Sequence, residues 1–252
     1  MFHGGGTNSR IFRTQCRALT KAIQHSIRLV YVEAPYKSHP GPDVARIFEN
    51  MGPFKAWLRW RHSDQTRDPS EATNRLLATV KTAMDEDDGL GASGPWVGML
   101  GFSQGAKLCA SLLYTQQYCA EVLGKSNPYL QCFRFAVLLA GRAPLVWLDE
   151  GEEVPRGLVD AATLSTADFS GLPAMPTSGR LKVPTLHVHG LKDPGLQLHR
   201  QLLHRCCDSG SVKVLEWDGA HSVAIKPDDV EVLAKEILSL VKMAQSQDPV
   251  SG

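Results

Sequence analysis

The chain has 252 residues, 43% of them hydrophobic, enough to bury one sizeable core. Its 27 Lys and Arg against 26 Asp and Glu leave a net charge of +1, and no block of one sign forms a basic face for phosphates, so nucleic acid is excluded as an expected partner. No run reaches the roughly 18 apolar residues that span a bilayer, and the start lacks the basic-then-apolar order of a signal peptide. The six cysteines (Cys16, Cys109, Cys119, Cys132, Cys206, Cys207) include no C-x-x-C pair, and two are adjacent. They read as reduced thiols in a cytoplasmic protein.

In chain order, short β-branched or apolar runs at residues 27–32, 96–100, 133–139, 183–188 and 212–217 predict buried parallel strands. Between them, helical spacing covers 71–84, 104–118, 195–206 and 228–241. Pro227 and the two aspartates after it mark the start of the last helix. Alternating strand and helix predicts a mainly parallel sheet flanked by helices, in a single domain over residues 1–243 with a polar tail at 244–252. Two stretches break the rhythm: residues 34–70, with prolines and the aromatics Phe48, Phe54, Trp57 and Trp60, and residues 141–180, rich in Gly, Pro, Ser and Asp. Such excursions are either walls of a binding site or plain surface loops.

Gly101-Phe102-Ser103-Gln104-Gly105 lies between a predicted strand and a predicted helix. A G-x-S-x-G turn in that setting lifts the serine hydroxyl above the sheet edge, with the helix N-terminus beneath it, as in the α/β-hydrolase fold. In that fold the partners follow in the order serine, acid, histidine, which removes His3, His25, His39 and His62. His221, after the 212–217 strand and before the last helix, is the best-placed base; His187 and His189 read as core or rim of a strand, and His199 and His204 as partly exposed helix positions. Asp193 follows the 183–188 strand on a loop and is the candidate acid, with a turn or helix-cap role as its other reading. Asp218 is too near His221 to orient it, and Asp208 falls at a helix end. Ser103 would attack an acyl carbon, His221 would take and return the proton, and Asp193 would fix the imidazole tautomer. The oxyanion donors expected are the backbone N–H groups of Gln104 and of Gly5 in His3-Gly4-Gly5-Gly6.

Together with Gly94-Pro95-Trp96-Val97-Gly98-Met99-Leu100-Gly101-Phe102-Ser103-Gln104-Gly105-Ala106, Val183-Pro184-Thr185-Leu186-His187-Val188-His189-Gly190 and Gly219-Ala220-His221, the N-terminal Phe2-His3-Gly4-Gly5-Gly6-Thr7-Asn8-Ser9 gives the chain a resemblance to the fungal-type serine hydrolases (FSH family) that include LovG-like thioesterases. The resemblance covers nearly the whole chain. It implies an α/β-hydrolase without a separate cap domain, no metal and no cofactor, and hydrolysis of acyl esters or thioesters, with an acyl group carried on the acyl carrier protein of a polyketide synthase as the expected substrate. The stretch 49–60 resembles the family's aromatic segment, so Trp57 and Trp60, with Phe102 beside the nucleophile, are candidate acyl-pocket residues; packing of a loop on the body is the other reading of the tryptophans. Only Met1 and Phe2 precede His3, where the family has an apolar strand. A truncated first strand is expected, either as a stub that the sheet tolerates or because native residues are lacking at the start of the sequence, with a poorly anchored glycine loop as its consequence. A carboxylesterase on small esters and a non-catalytic binding protein of the same fold are the competing functions.

Overall fold

The computed structural model describes residues 1–126 and 133–246. The chain runs through α1 (Ser9–Gln15), α2 (Arg17–Ile23), β1 (Tyr36–Ser38), α3 (Pro42–Phe48), β2 (Phe54–Ala56), α4 (Pro69–Gly89), β3 (Gly98–Phe102), α5 (Gln104–Glu121), β4 (Phe135–Leu139), β5 (Thr185–Gly190), α6 (Leu196–Cys206), β6 (Val212–Trp217) and α7 (Pro227–Ser246).

Four strands form a parallel sheet in the order β3-β4-β5-β6. Leu100 stands beside Val137, Val137 beside Leu186, and Leu186 beside Lys213. Strands β3 and β4 are almost wholly apolar and β5 is buried on both faces, with Leu186 and Val188 on one and Thr185, His187 and His189 on the other, as a parallel sheet with helices on both sides buries both faces of its strands. On one side Phe12, Leu19, Ile23, Leu233, Ile237 and Val241 of α1, α2 and α7 cover the sheet. On the other, Leu76 and Val80 of α4, Leu108 and Leu112 of α5, and Leu202 of α6 do so.

Several expectations are corrected. Residues 27–32 form no strand; among them only Val32 makes a bridge, to Phe2, and Met1 donates from its amino group to Val30 O at 2.8 Å. Phe2 lies parallel between Val32 and Gly101, its N–H donating to Leu100 O at 2.8 Å and its carbonyl accepting from Phe102 N at 3.0 Å. A cavity of about 490 Å³ is lined by Met1, Leu29, Val30, Val97 and Leu100. Strand β6 is parallel but mostly exposed, being the sheet edge, where Lys213 pairs with Glu236. Helix α7 runs to Ser246 with Ala244 buried, past the point where the polar tail was expected; residues 247–252 and Cys132 lie outside the described residues.

The first excursion is structured. β1 and β2 pair antiparallel, and α3 lies between them in sequence. The second excursion has no regular element beyond one turn at Thr177–Gly179, yet Leu145, Val146, Trp147 and Leu148 are buried in the core, so it is no plain surface loop. The two excursions meet: Ser165 N donates to Arg59 O at 2.8 Å, and Thr166 Oγ1 to Trp60 O at 2.8 Å.

Candidate active site

Ser103 sits between β3 and α5 with φ 54°, a left-handed conformation that an L-residue holds only in a fixed turn. Its flanking glycines are dictated by contact. A Cβ at Gly101 would lie 2.3 Å from Gly105 O, and one at Gly105 would lie 2.2 Å from Phe2 O. Ser103 N donates to Leu139 O at 2.8 Å, which ties the turn to β4. The amide that follows, Gln104 N–H, belongs to the first turn of α5, where backbone donors are free for developing negative charge.

Two loops at the same sheet edge bring the partners. After β5, Leu191 N donates to Trp217 O at 2.9 Å and Lys192 N to Gly219 O at 2.8 Å, so the Asp193 loop is joined to the His221 loop. His221 Nδ1 then lies 2.6 Å from Asp193 Oδ2, and His221 Nε2 lies 3.0 Å from Ser103 Oγ. Asp193 Oδ1 accepts the Gly195 N–H at 2.7 Å. Burial works to raise the Asp193 pKa, but the hydrogen bonds from His221 and Gly195 outweigh it and hold the carboxyl below its ordinary value. The imidazole of His221 is packed against Phe102, ring centroids 4.9 Å apart. A serine hydroxyl, an imidazole and a buried carboxylate in this order can carry out nucleophilic acyl transfer.

The rivals have other work. Asp218 is exposed and pairs with Lys192 at 2.7 Å, while Asp208 holds the turn at Gly210. The five described cysteines are free and buried, and burial pushes their thiols up, Cys109 to about 12, so none supplies a thiolate nucleophile. Asp193, His199 and His221 could offer three metal-ligating atoms within 4.8 Å of one another. The 2.6 Å separation of Asp193 and His221 is a hydrogen-bond length, however, and shorter than the roughly 3.3 Å between two ligands on a tetrahedral zinc.

The serine hydrolase (FSH1) family pattern matches residues 1–232. The chain belongs to this family. Esterase dbaE of Emericella nidulans is 48% identical over 246 residues, covering 95% of this chain and 88% of the relative. Esterase pigG of Monascus ruber is 48% identical over 244 residues, covering 94% and 89%. The carboxylesterase of Mesorhizobium loti shares the fold at TM-score 0.51 and 17% identity, covering 94% of this chain and 86% of that one. The Bacillus cereus carboxylesterase does so at TM-score 0.51 and 14%, covering 95% and 86%. The chain is thus a serine hydrolase of the α/β-hydrolase fold, with relatives that are esterases.

Within this FSH1-family chain the glycine loop is well anchored, contrary to the expectation drawn from the short first strand. The indole N–H of Trp57 donates to His3 O at 2.8 Å, His3 Nε2 accepts from Ala34 N at 3.0 Å, and Gly6 N donates to Lys55 O at 2.9 Å. The first excursion thus holds the glycine loop from Ala34, Lys55 and Trp57. Gly5 faces the Gln104 side chain, where a Cβ would stand 3.1 Å from Oε1.

Trp57 is fully buried, packed 5.3 Å from both Phe2 and His3 ring centroids, so it braces the glycine loop from behind and offers no face to an open acyl pocket. Trp60 is half-buried, its indole donating to Ser38 Oγ at 2.9 Å, and sits where the two excursions meet. Phe102 is nearly buried, between His221 and Phe12.

Two contributions escaped the sequence reading. The side chain of Gln104 accepts from Trp57 N at 2.7 Å and Leu58 N at 3.2 Å and donates to Leu58 O at 3.0 Å, clamping the first excursion onto the elbow. A glutamine inside the motif gave no sign of this, because the partner is a backbone 46 residues away. The second is His199, expected partly exposed on its helix but wholly buried beside Asp193.

Proposed function

We propose that the chain hydrolyses acyl thioesters or esters through an acyl-enzyme on Ser103, with His221 as base and acid, Asp193 as its orienting carboxylate, and the N–H groups of Gln104 and Gly5 as the oxyanion hole. The observation that carries this reading is the continuous chain from Ser103 Oγ through His221 to Asp193, with separations of 3.0 and 2.6 Å. In the first half-reaction the Ser103–acyl bond forms, the Ser103 proton passes to His221 Nε2, and the alcohol or thiol departs with that proton. In the second, water attacks the acyl-enzyme, gives its proton to His221, and the released serine recovers it.

For the substrate, we infer an acyl chain, of the polyketide type, delivered as a thioester on the phosphopantetheine arm of a carrier protein, in the cytoplasm. Family membership supports this choice, as does the wall that the two excursions build beside the elbow through Arg59, Trp60, Ser165 and Thr166. Five free, buried cysteines suit a reducing compartment, and among the described residues no helix is long and apolar enough to cross a membrane. A second reading, a carboxylesterase acting on small oxygen esters, is favoured by the relatives' names.

The deciding assay compares kcat/KM for carrier-protein and coenzyme A thioesters with that for oxygen esters of the same acyl group. Preference for the carrier-bound thioester is expected. A clear preference for the oxygen ester would remove the carrier-protein reading and leave the second one.

A further inference from the structure

Helix α6 turns one face to the core through His199, Leu202 and Cys206, all buried, and its first buried residue is an imidazole. His199 is 0% exposed, and neither ring nitrogen has a hydrogen-bond partner at standard distance. A buried donor left in that state costs on the order of 1–3 kcal/mol. The nearest acceptor is catalytic: His199 Nε2 lies 3.6 Å from Asp193 Oδ2, the same oxygen that His221 Nδ1 approaches at 2.6 Å. Asp193 Oδ1 is already taken by the Gly195 N–H, so its Oδ2 stands between two imidazoles.

The ionisable groups facing His199 are Asp193 on the loop after β5, His221 on the loop after β6, Arg142 after β4, and His189 at the end of β5. The rings of His189 and His221 lie 5.9 and 6.0 Å from its own. Burial pushes the His199 imidazole down to about 4, against the pull of Asp193, so at neutral pH it carries no charge.

We propose that His199 is a positioning residue for the catalytic acid, donating from Nε2–H to Asp193 Oδ2 and holding the carboxylate in the orientation that His221 needs. Charge neutrality matters to this role. A cationic His199 would neutralise Asp193 and deprive His221 of its counter-charge when it takes the serine proton, whereas a neutral donor fixes the carboxylate and leaves its charge in place. The 3.6 Å separation is longer than a hydrogen bond, so the proposed donation requires it to shorten when the site tightens around a reacting ester.

This inference rests on the Ser103, His221 and Asp193 reading, and its test separates the two. His199→Gln places an amide nitrogen near the position of Nε2, while His199→Asn places one near Nδ1 and cannot reach Asp193. Both variants are small, polar and close in shape, so folding is checked by thermal melting and is expected to be alike. With a p-nitrophenyl ester, the Asn variant is expected to lose about tenfold in kcat with KM within about twofold, and the Gln variant to keep kcat within about threefold of wild type. In the Asn variant the acid limb of the kcat/KM profile is expected to move up by about half a pH unit, because the Asp193 charge is no longer shared with a second donor. Equal kcat and equal pH limbs for the two variants at equal melting temperature would overturn the role of His199. Failure of a fluorophosphonate to label wild-type Ser103 would instead overturn the nucleophile assignment itself.

Discussion

At the residue scale the elbow concentrates constraint on a few positions. Ser103 is held at φ 54° because Gly101 and Gly105 let backbones approach to distances no side chain tolerates. Replacing Gly101 by Ala would drive its Cβ into Gly105 O, and the expected outcome is loss of soluble folded protein or of nearly all activity, read by melting and ester turnover. Gln104 has two separable duties. Its amide is a candidate oxyanion donor that survives any side-chain change except proline, while its carboxamide holds Trp57 and Leu58. Gln104→Ala therefore leaves the donor and frees two backbone N–H groups, at a cost of about 1–3 kcal/mol in stability. KM should rise more than kcat falls, since the wall loosens while the hydrogen-bonded chain from Ser103 through His221 to Asp193 stays. A fall in kcat with KM unchanged would assign the side chain to the transition state instead.

At the scale of elements, the glycine loop depends on Trp57 of the first excursion. Trp57→Phe keeps the packing with Phe2 and His3 but removes the indole N–H from His3 O, and a loss of about 1 kcal/mol in stability with a severalfold drop in kcat is expected. Trp57→Ala should cost about 3–5 kcal/mol, as for other fully buried tryptophans. How much of this was legible follows from the range over which each interaction acts. Strands β3 and β4 announce themselves because a doubly covered parallel strand is a nearly continuous apolar run, β5 does so less plainly through Leu186 and Val188 between buried histidines, and the elbow, Asp193 and His221 each stand at a strand's end, a place that sequence periodicity locates. The run at residues 27–32 reads as a strand too, yet local periodicity does not say whether a partner lies beside it, and here only Val32 makes a bridge. Helices α1 and α2 fill seven residues each without a long periodic pattern. The roles of Trp57, Gln104 and His199 depend on partners distant in sequence, which no local spacing encodes.

For the whole molecule, burial has placed neutral histidines in the core: His187 is pushed down to about 3 and His199 to about 4. In the unfolded chain these side chains take up a proton below about pH 6.5. Between that pH and their folded values the unfolded state binds more protons, so stability must fall as the solution is acidified. Asp193, held below its ordinary value, adds to the loss at still lower pH. The melting temperature is expected to decline as pH falls from about 6.5 toward about 4, and less steeply in His199→Gln, which has one fewer buried imidazole to protonate on unfolding. A melting temperature flat across that window would show that the buried histidines are not the source of acid sensitivity.

The α/β body, the two excursions and the joined loops at the sheet edge converge on one hydroxyl. Reaction of the folded protein with a fluorophosphonate, followed by peptide mass spectrometry, tests that convergence most directly. A single adduct on Ser103 is expected, formed rapidly in wild type and slowed by about 10⁴-fold or more in His221→Ala of unchanged melting temperature. An unlabelled Ser103 in folded wild type, or equal labelling rates with and without the His221 imidazole, would contradict the assignment of Ser103 and His221 as nucleophile and base.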